Sequence, residues 1–239
     1  MDNAVYLALS RIAGLQKEMQ AVANNVANMS TSGFRRESVL FAEMIEALPV
    51  EGGSVSMTAA RVRRTDMSGG ALERTGGRLD LALEGEGFFM IETPLGPRLT
   101  RSGAFALDAA GVLVTREGHP VLDPGGAPVQ LPPDPGAIEI ARDGSISADG
   151  RLVGAVAVVV PEAGADLKRE DGVRFVYDGP LIPGRAAVFQ GFVESSNVSP
   201  VAELSRLIEV QRAYELGRAL LDREDERMRA TLRALAPPG

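Results

Sequence analysis

No cysteine and no tryptophan occur among the 239 residues, and there is a single histidine. Without thiols there are no disulfides, no thiolate nucleophile and no Cys-ligated zinc, and the redox compartment is left open. The one imidazole, His119, lies between Gly118 and Pro120 and reads as a turn residue. Alone it cannot build a His-rich metal site, and no pocket suggests a Ser-His-Asp set around it. No apolar run approaches the roughly 18–20 residues that span a bilayer, so membrane insertion is not expected. The opening MDNAVYLALSRIAGLQKEM is amphipathic and lacks the apolar core and small-residue end of a secretory signal. Positive charge is also short: 25 Lys and Arg against 32 Asp and Glu leave a net charge of -7, which argues against a nucleic-acid partner.

Other chemistry is missing as well. Gly85-Glu86-Gly87 lacks the third glycine of a dinucleotide loop. The segment Asp143 to Gly150 holds two Asp-Gly pairs without the acidic spacing of a calcium loop. Glu84 and Glu86 are two apart in a strand-like stretch, a weak case for the carboxylate pair of a wall-degrading hydrolase. No catalytic residue, cofactor or metal is therefore expected.

What remains is an ordinary globular composition, 45% hydrophobic and 24% charged, with length for one or two modest domains. The clearest pattern opens the chain. Val5, Ala8, Ile12, Leu15, Met19, Val22, Val26 and Met29 are spaced by alternating threes and fours, an a/d seam. Ser, Thr and Gly near residues 30–33 end this helix, Gly33 supplying the positive-φ exit. A second helix starts at the other end, with Ser199 as N-cap, Pro200 in the first position and Glu203 in the first turn. Along it Leu207, Tyr214, Leu221, Met228 and Leu235 recur at sevens, with Val210 and Leu204 beside the early positions and a seam that weakens toward Pro237, Pro238 and Gly239. The two helices would be about 40 and 55 Å long.

Between the helices the period changes to two. Leu79, Leu81 and Leu83 alternate with Asp80 and Ala82, and Val156, Val158 and Val160 alternate again. Asp143-Gly144 and Asp149-Gly150 are hairpin signals. The expected fold is α+β: long terminal helices pairing as a coiled-coil-like domain around a central all-β domain. The boundaries are an N-terminal helix over 1–33, an extended connector over 34–74 containing Gly52-Gly53, a β-rich outer domain over 75–190 and a C-terminal helix over 191–239. A lone helix has nowhere to bury an a/d seam, so the seams are expected to order against neighbouring molecules. Packing against the chain's own core is the plainer alternative.

The segment ANNVANMSTSGFRR, Ala23 to Arg36, resembles the N-terminal signature of the flagellar rod and hook family, Asn24, Asn25, Ala27, Asn28, Thr31, Gly33, Phe34 and Arg35 fitting its pattern. ESSNVSPVAELSRLIEVQRAYEL, Glu194 to Leu216, resembles the C-terminal signature of the same family, and Leu79 to Leu122 resembles its β-domain. Length and the opening Met1-Asp2 with Tyr6 are most similar to the proximal-rod members. Ser102, where the family usually has Asn, and the Pro-rich stretch from Asp123 to Gly136 depart from it.

The resemblance implies a structural subunit of the basal-body rod, polymerising through its terminal helices, with the β-domain outside. It also implies other rod proteins and the flagellar type III export apparatus as partners. The location implied is the periplasmic rod, reached without a cleaved signal. Subunit-facing residues are then expected on the first seam (Val5, Ile12, Leu15, Met19, Val22, Val26, Met29) and the second (Leu207, Val210, Tyr214, Leu221, Met228). Asn24 and Asn25 would bond neighbouring helices, while Asn28 either does so or ends its helix. Phe34 is an anchor on a neighbour or a packing residue of the connector. Gln211 and Arg212 bond across subunits or face solvent, and Asn197 and Ser199 cap the second helix with Pro200.

Overall fold

The computed structural model describes the backbone of residues 2–47, 54–132, 136–162, 164 and 167–235; the side chains of 2–7, 41–47, 54–62, 232, 234 and 235 lie outside the description. Val5, Leu235 and the Gly52-Gly53 and Pro237 to Gly239 readings therefore fall outside it, wholly or in their side chains. The chain divides into two compact units, a helical one (1–27, 36–66, 199–239) and a β-rich one (28–35, 67–198).

In the helical unit α1 spans Asp2–Ala27 and α2 spans Pro200–Leu235. The two helices pack on one another in opposite directions, Asn25 meeting Glu203 near one end and Ile12 meeting Gly217 further along. At Gly217 a Cβ would stand 3.0 Å from Ile12, so the missing side chain sets the close approach. With 36 residues against 26, α2 outlasts its partner. Counting on from these pairs puts Asp2 level with about residue 226, so the last two turns of α2 run on past α1.

The stretch expected as an extended connector is partly regular. Strands β1 (Glu37–Ala47) and β2 (Ser54–Thr65) form an antiparallel hairpin with a bulge at Leu40/Phe41, and both pack on α1. Its alternation escapes a reading by composition because small and charged residues dominate it.

The β-rich unit is built from short antiparallel strands: β3 (Leu72–Arg74), β4 (Leu81–Glu84), β5 (Phe88–Thr93), β6 (Gly96–Thr100), β7 (Phe105–Leu107), β8 (Leu113–Thr115), β9 (Ile138–Ile140) and β10 (Ser145–Ala148). They continue with β11 (Arg151–Ala155), β12 (Val158–Pro161), β13 (Lys168–Asp171), β14 (Arg174–Val176), β15 (Leu181–Pro183), β16 (Ala187–Gln190) and β17 (Phe192–Glu194). A six-stranded sheet has the order β13-β14-β6-β5-β12-β15, and β11-β10-β9 form a three-stranded meander. The pairs β16-β4, β17-β3 and β7-β8 complete the unit.

Alternation along β5 feeds two cores. Phe89 and Ile91 join Leu81, Leu113, Val121, Ile146 and Val156, whereas Phe88 joins Leu99 and Phe175 on the opposite face. Both Asp-Gly pairs are turns of the meander. Asp149 (φ 49°) and Gly150 (φ 74°) are both left-handed, as the commonest two-residue hairpin requires. The Asp143 carboxylate accepts the Ser145 amide at 3.0 Å, closing the turn between β9 and β10. Val156 is buried but precedes β12, so only part of the expected Val156–Val160 alternation lies in a strand.

Phe89 is fully buried and packs edge-on to Phe105 at 5.3 Å. Phe89→Ala should cost roughly 3–5 kcal/mol through the cavity it leaves, measured as a lower urea midpoint for the whole chain.

Candidate functional site

Both signature segments end in buried polar clusters, one in each unit. In the helical unit Asn25 has no exposed surface. Its Nδ2 donates to the Glu37 carbonyl (2.8 Å) and to Glu203 Oε2 (3.0 Å), while its Oδ1 accepts the Glu37 amide (2.8 Å). The side-chain amide thus answers both backbone groups of Glu37, as a neighbouring strand would. Glu203, 1% exposed in the first turn of α2, also accepts Arg36 Nε at 2.5 Å. A buried carboxylate needs such partners, and the helix N-terminus adds favourable dipole. Asn24 Nδ2 donates to the Glu37 carboxylate at 3.3 Å, and Arg206 reaches across to Glu18 at 2.5 Å. That hydrogen bond with Glu18 raises the Arg206 pKa.

In the β-rich unit Gly33 takes φ 71° and donates its amide to the Glu194 carbonyl at 2.7 Å. A side chain there would run into the backbone of Arg101 and Ser102. Phe34 is fully buried, with the Arg169 guanidinium over its ring at 4.6 Å. Arg35, 1% exposed, pairs with Glu194 at 2.5 Å, and Glu194 also accepts the Gly70 amide at 3.0 Å. Arg101 approaches the other Glu194 oxygen at 3.6 Å and donates to the Gly85 carbonyl at 2.5 Å. Burial lowers the Arg101 pKa, and the Glu194 charge opposes that shift. Asn197 ties to Ser68 through its carbonyl (3.0 Å) and hydroxyl (3.2 Å).

Several expectations change in this light. Asn25 and Phe34 are sealed inside their own units, so their side chains hold the subunit's fold and offer nothing to a neighbour. Val22 (4% exposed) and Val210 (2%) are likewise covered by the chain itself. Asn28 accepts the Thr31 hydroxyl at 3.2 Å and its carbonyl accepts the Thr31 amide at 3.1 Å, the helix-ending role. Asn197 straps the loop at Ser68. The Ser199 carbonyl accepts the Glu203 amide at 3.0 Å, and α2 begins at Pro200.

The face that α1 buries is small and polar: Gly14, Glu18, Ala21, Val22 and Asn25. The seam residues Ile12, Leu15, Met19 and Val26 are only half-buried at its edge, and Met29 is 41% exposed. On α2, Leu207, Tyr214 and Leu221 are half-buried towards α1, Met228 is 43% exposed, and Gln211 and Arg212 are exposed. Gln211 bonds Glu215 one turn on, at 3.1 Å. Large apolar side chains that no seam marks stand open, Val201 (76%), Ile208 (52%), Leu216 (73%) and Leu220 (53%), and so does Leu204 (50%) beside the seam.

Glu37, Arg101, Arg169 and Glu194 are the partners that sequence reasoning missed as site residues. Glu194 and Arg35 stood inside the signature segments and Arg101, just past β6, inside the β-domain resemblance, but Arg169 lies in β13 with no marking pattern. Glu84 and Glu86 line an open groove with Val160, Ile182, Pro183 and Arg185. His119 Nε2 meets Arg174 at 2.6 Å. Among the described residues no three His, Asp or Glu side chains are grouped to hold a metal. Among the described residues, too, no helix is long and apolar enough to cross a membrane.

Residues 6–35 match the family "Flagella basal body rod protein", residues 82–148 the "Flagellar hook protein FlgE/F/G D1 domain" and residues 190–234 the "Flagellar basal body rod FlgEFG protein C-terminal". The chain is 39% identical over 233 residues to the flagellar basal-body rod protein FlgF of Mesorhizobium japonicum, covering 92% of each. It is 37% identical over 245 residues to FlgF of Caulobacter vibrioides, covering 98% of each. Against the rod protein FlgG of Bacillus subtilis the figure is 29% over 254 residues, 95% of this chain and 96% of that one. Helical ends and a β-rich middle matched in this order mark a structural axial component rather than an enzyme. The chain belongs to the flagellar basal-body rod protein family.

Glu194→Gln should leave the buried Arg35 and Arg101 charges without an anion and cost roughly 3–5 kcal/mol, read from equilibrium unfolding in urea. Gly33→Ala combines a left-handed backbone with a backbone clash. A loss of roughly 1–3 kcal/mol is expected in the same assay, at unchanged m-value.

Proposed function

We propose that this chain is a structural subunit of the proximal rod of the bacterial flagellum, polymerising through its terminal helices into the drive shaft and the wall of the export channel. The observation that carries this is the row of open apolar side chains on α2. Burying each large one in an interface is worth about 1.5–3 kcal/mol, a strong drive to associate. The likeness to FlgF relatives at 37–39% identity, above the 29% to a FlgG, favours the proximal over the distal rod.

On this reading residues 1–33 and 191–239 form the rod-core domain, with the helices pairing across subunits in a coiled-coil-like way, and residues 75–190 form an outer domain. Partners are the other rod proteins and the flagellar type III export apparatus. The working location is the periplasmic rod. The net charge of -7 sets nucleic acid aside as a partner.

Removing the encoded chain from its own bacterium should abolish complete rods and motility, and re-expression should restore both. Electron cryo-microscopy of purified basal bodies should then place its β-rich unit in the proximal rod. Complete rods in the strain without the chain would refute the assignment.

A further inference from the structure

The buried cluster of the β-rich unit has an unequal charge count. Two guanidiniums, Arg35 (1% exposed) and Arg101 (7%), share the carboxylate of Glu194 (2%). Glu194 is the one buried carboxylate among the described residues of that unit. Its Oε1 pairs with Arg35 Nη2 at 2.5 Å, and Arg101 Nε stands 3.6 Å from its Oε2. The Gly85 carbonyl takes Arg101 Nη2. One Nη1 group then remains on each arginine. Both are buried, and no acceptor among the described residues lies within hydrogen-bond reach of either. Glu194 Oε2 likewise accepts no hydrogen bond, Arg101 meeting it in ion-pair range only.

The surroundings add positive potential. Arg169 donates to the carbonyls of Arg35 and Gly172, and its guanidinium lies over the Phe34 and Phe175 rings at 4.6 and 5.1 Å. Burial lowers the Arg101 pKa, the nearby Arg35 charge lowers it further, and Glu194 opposes both. Glu86 also attracts Arg101, but it is exposed and water screens it. A buried cation without a counter-charge costs several kcal/mol, and arginine does not escape by giving up its proton. A water at the Nη1 groups meets their hydrogen bonds and leaves the surplus charge. A monovalent anion meets both needs, since it accepts from N–H groups and brings the count for the two buried arginines to two against two. A divalent anion overshoots that count.

We infer that this cluster is a binding site for a small monovalent anion of the halide class, held by Nη1 of Arg35 and Nη1 of Arg101 beside Glu194. The ion fastens three stretches that are remote in sequence: the end of the N-terminal signature, the segment just past β6 and the end of β17. The site stands apart from the rod-subunit reading. Its consequence is a folded stability that depends on which anion is present, beyond ionic strength alone.

Chloride is the probe. The full-length chain is unfolded in urea at constant sodium and constant ionic strength while gluconate is replaced stepwise by chloride. A ligand bound by the folded chain alone stabilises it by mass action. The folded-to-unfolded ratio should therefore climb, approaching tenfold for each tenfold rise in chloride above the dissociation constant. Arg101→Met removes one donor and one charge and should flatten the climb. Arg116→Met, at an exposed position, should leave it intact. Equal stability in the two salts, the outcome for a site that water fills, would overturn the inference. So would an undiminished climb in Arg101→Met, which would mark a general salt effect. Where Arg101→Met does not fold, Arg101→Lys is the second variant, keeping the charge while losing the forked donors. Its chloride requirement should rise about tenfold or more, and an unchanged requirement would refute the site.

Discussion

The amide of Asn25 is the tie on which the helical unit depends. It bonds both backbone groups of Glu37 and the carboxylate of Glu203, so one side chain joins the end of α1, the start of the hairpin and the first turn of α2. In the dry surroundings of a fully buried site each of these bonds is needed, because an unmet amide or carboxylate there has no water to turn to. The cluster therefore allows one geometry, and the pairing height of the two helices follows from it.

A second cluster plays the same part in the β-rich unit, with a carboxylate where the first has an amide. Glu194 gathers Arg35, Arg101 and the Gly70 amide, and Arg169 is held between the rings of Phe34 and Phe175. More cations than anions are buried here, which makes the single carboxylate hard to replace. Each unit thus joins a stretch from the N-terminal signature to a stretch from the C-terminal one. Several signature residues act as internal fasteners.

That division explains what was legible in the sequence. Period-three-and-four spacing located both helices to within a few residues, and the Asp-Gly pairs marked real turns, because backbone sterics act locally. The Asn25 reading went outward because a motif residue was taken for a contact residue, and the Phe34 reading stayed open between anchor and packing; nothing in a linear pattern says which face of a helix its own chain covers. The hairpin over residues 37–65 was missed because its strands alternate weakly and are stabilised by packing on α1. Arg101 stood in a family-like segment without a stated role and Arg169 gave no signal, since their meaning comes only from the fold that carries them to Glu194 and Phe34.

The unequal length of the helices has a thermal consequence. The last two turns of α2 run on past Asp2 of α1, and the ion pairs Arg227–Glu224 and Arg229–Asp225 near that end lie within the helix itself. Solvated pairs one turn apart add only a few tenths of a kcal/mol each, so this end should loosen at a lower temperature than the stretch fastened by Asn25.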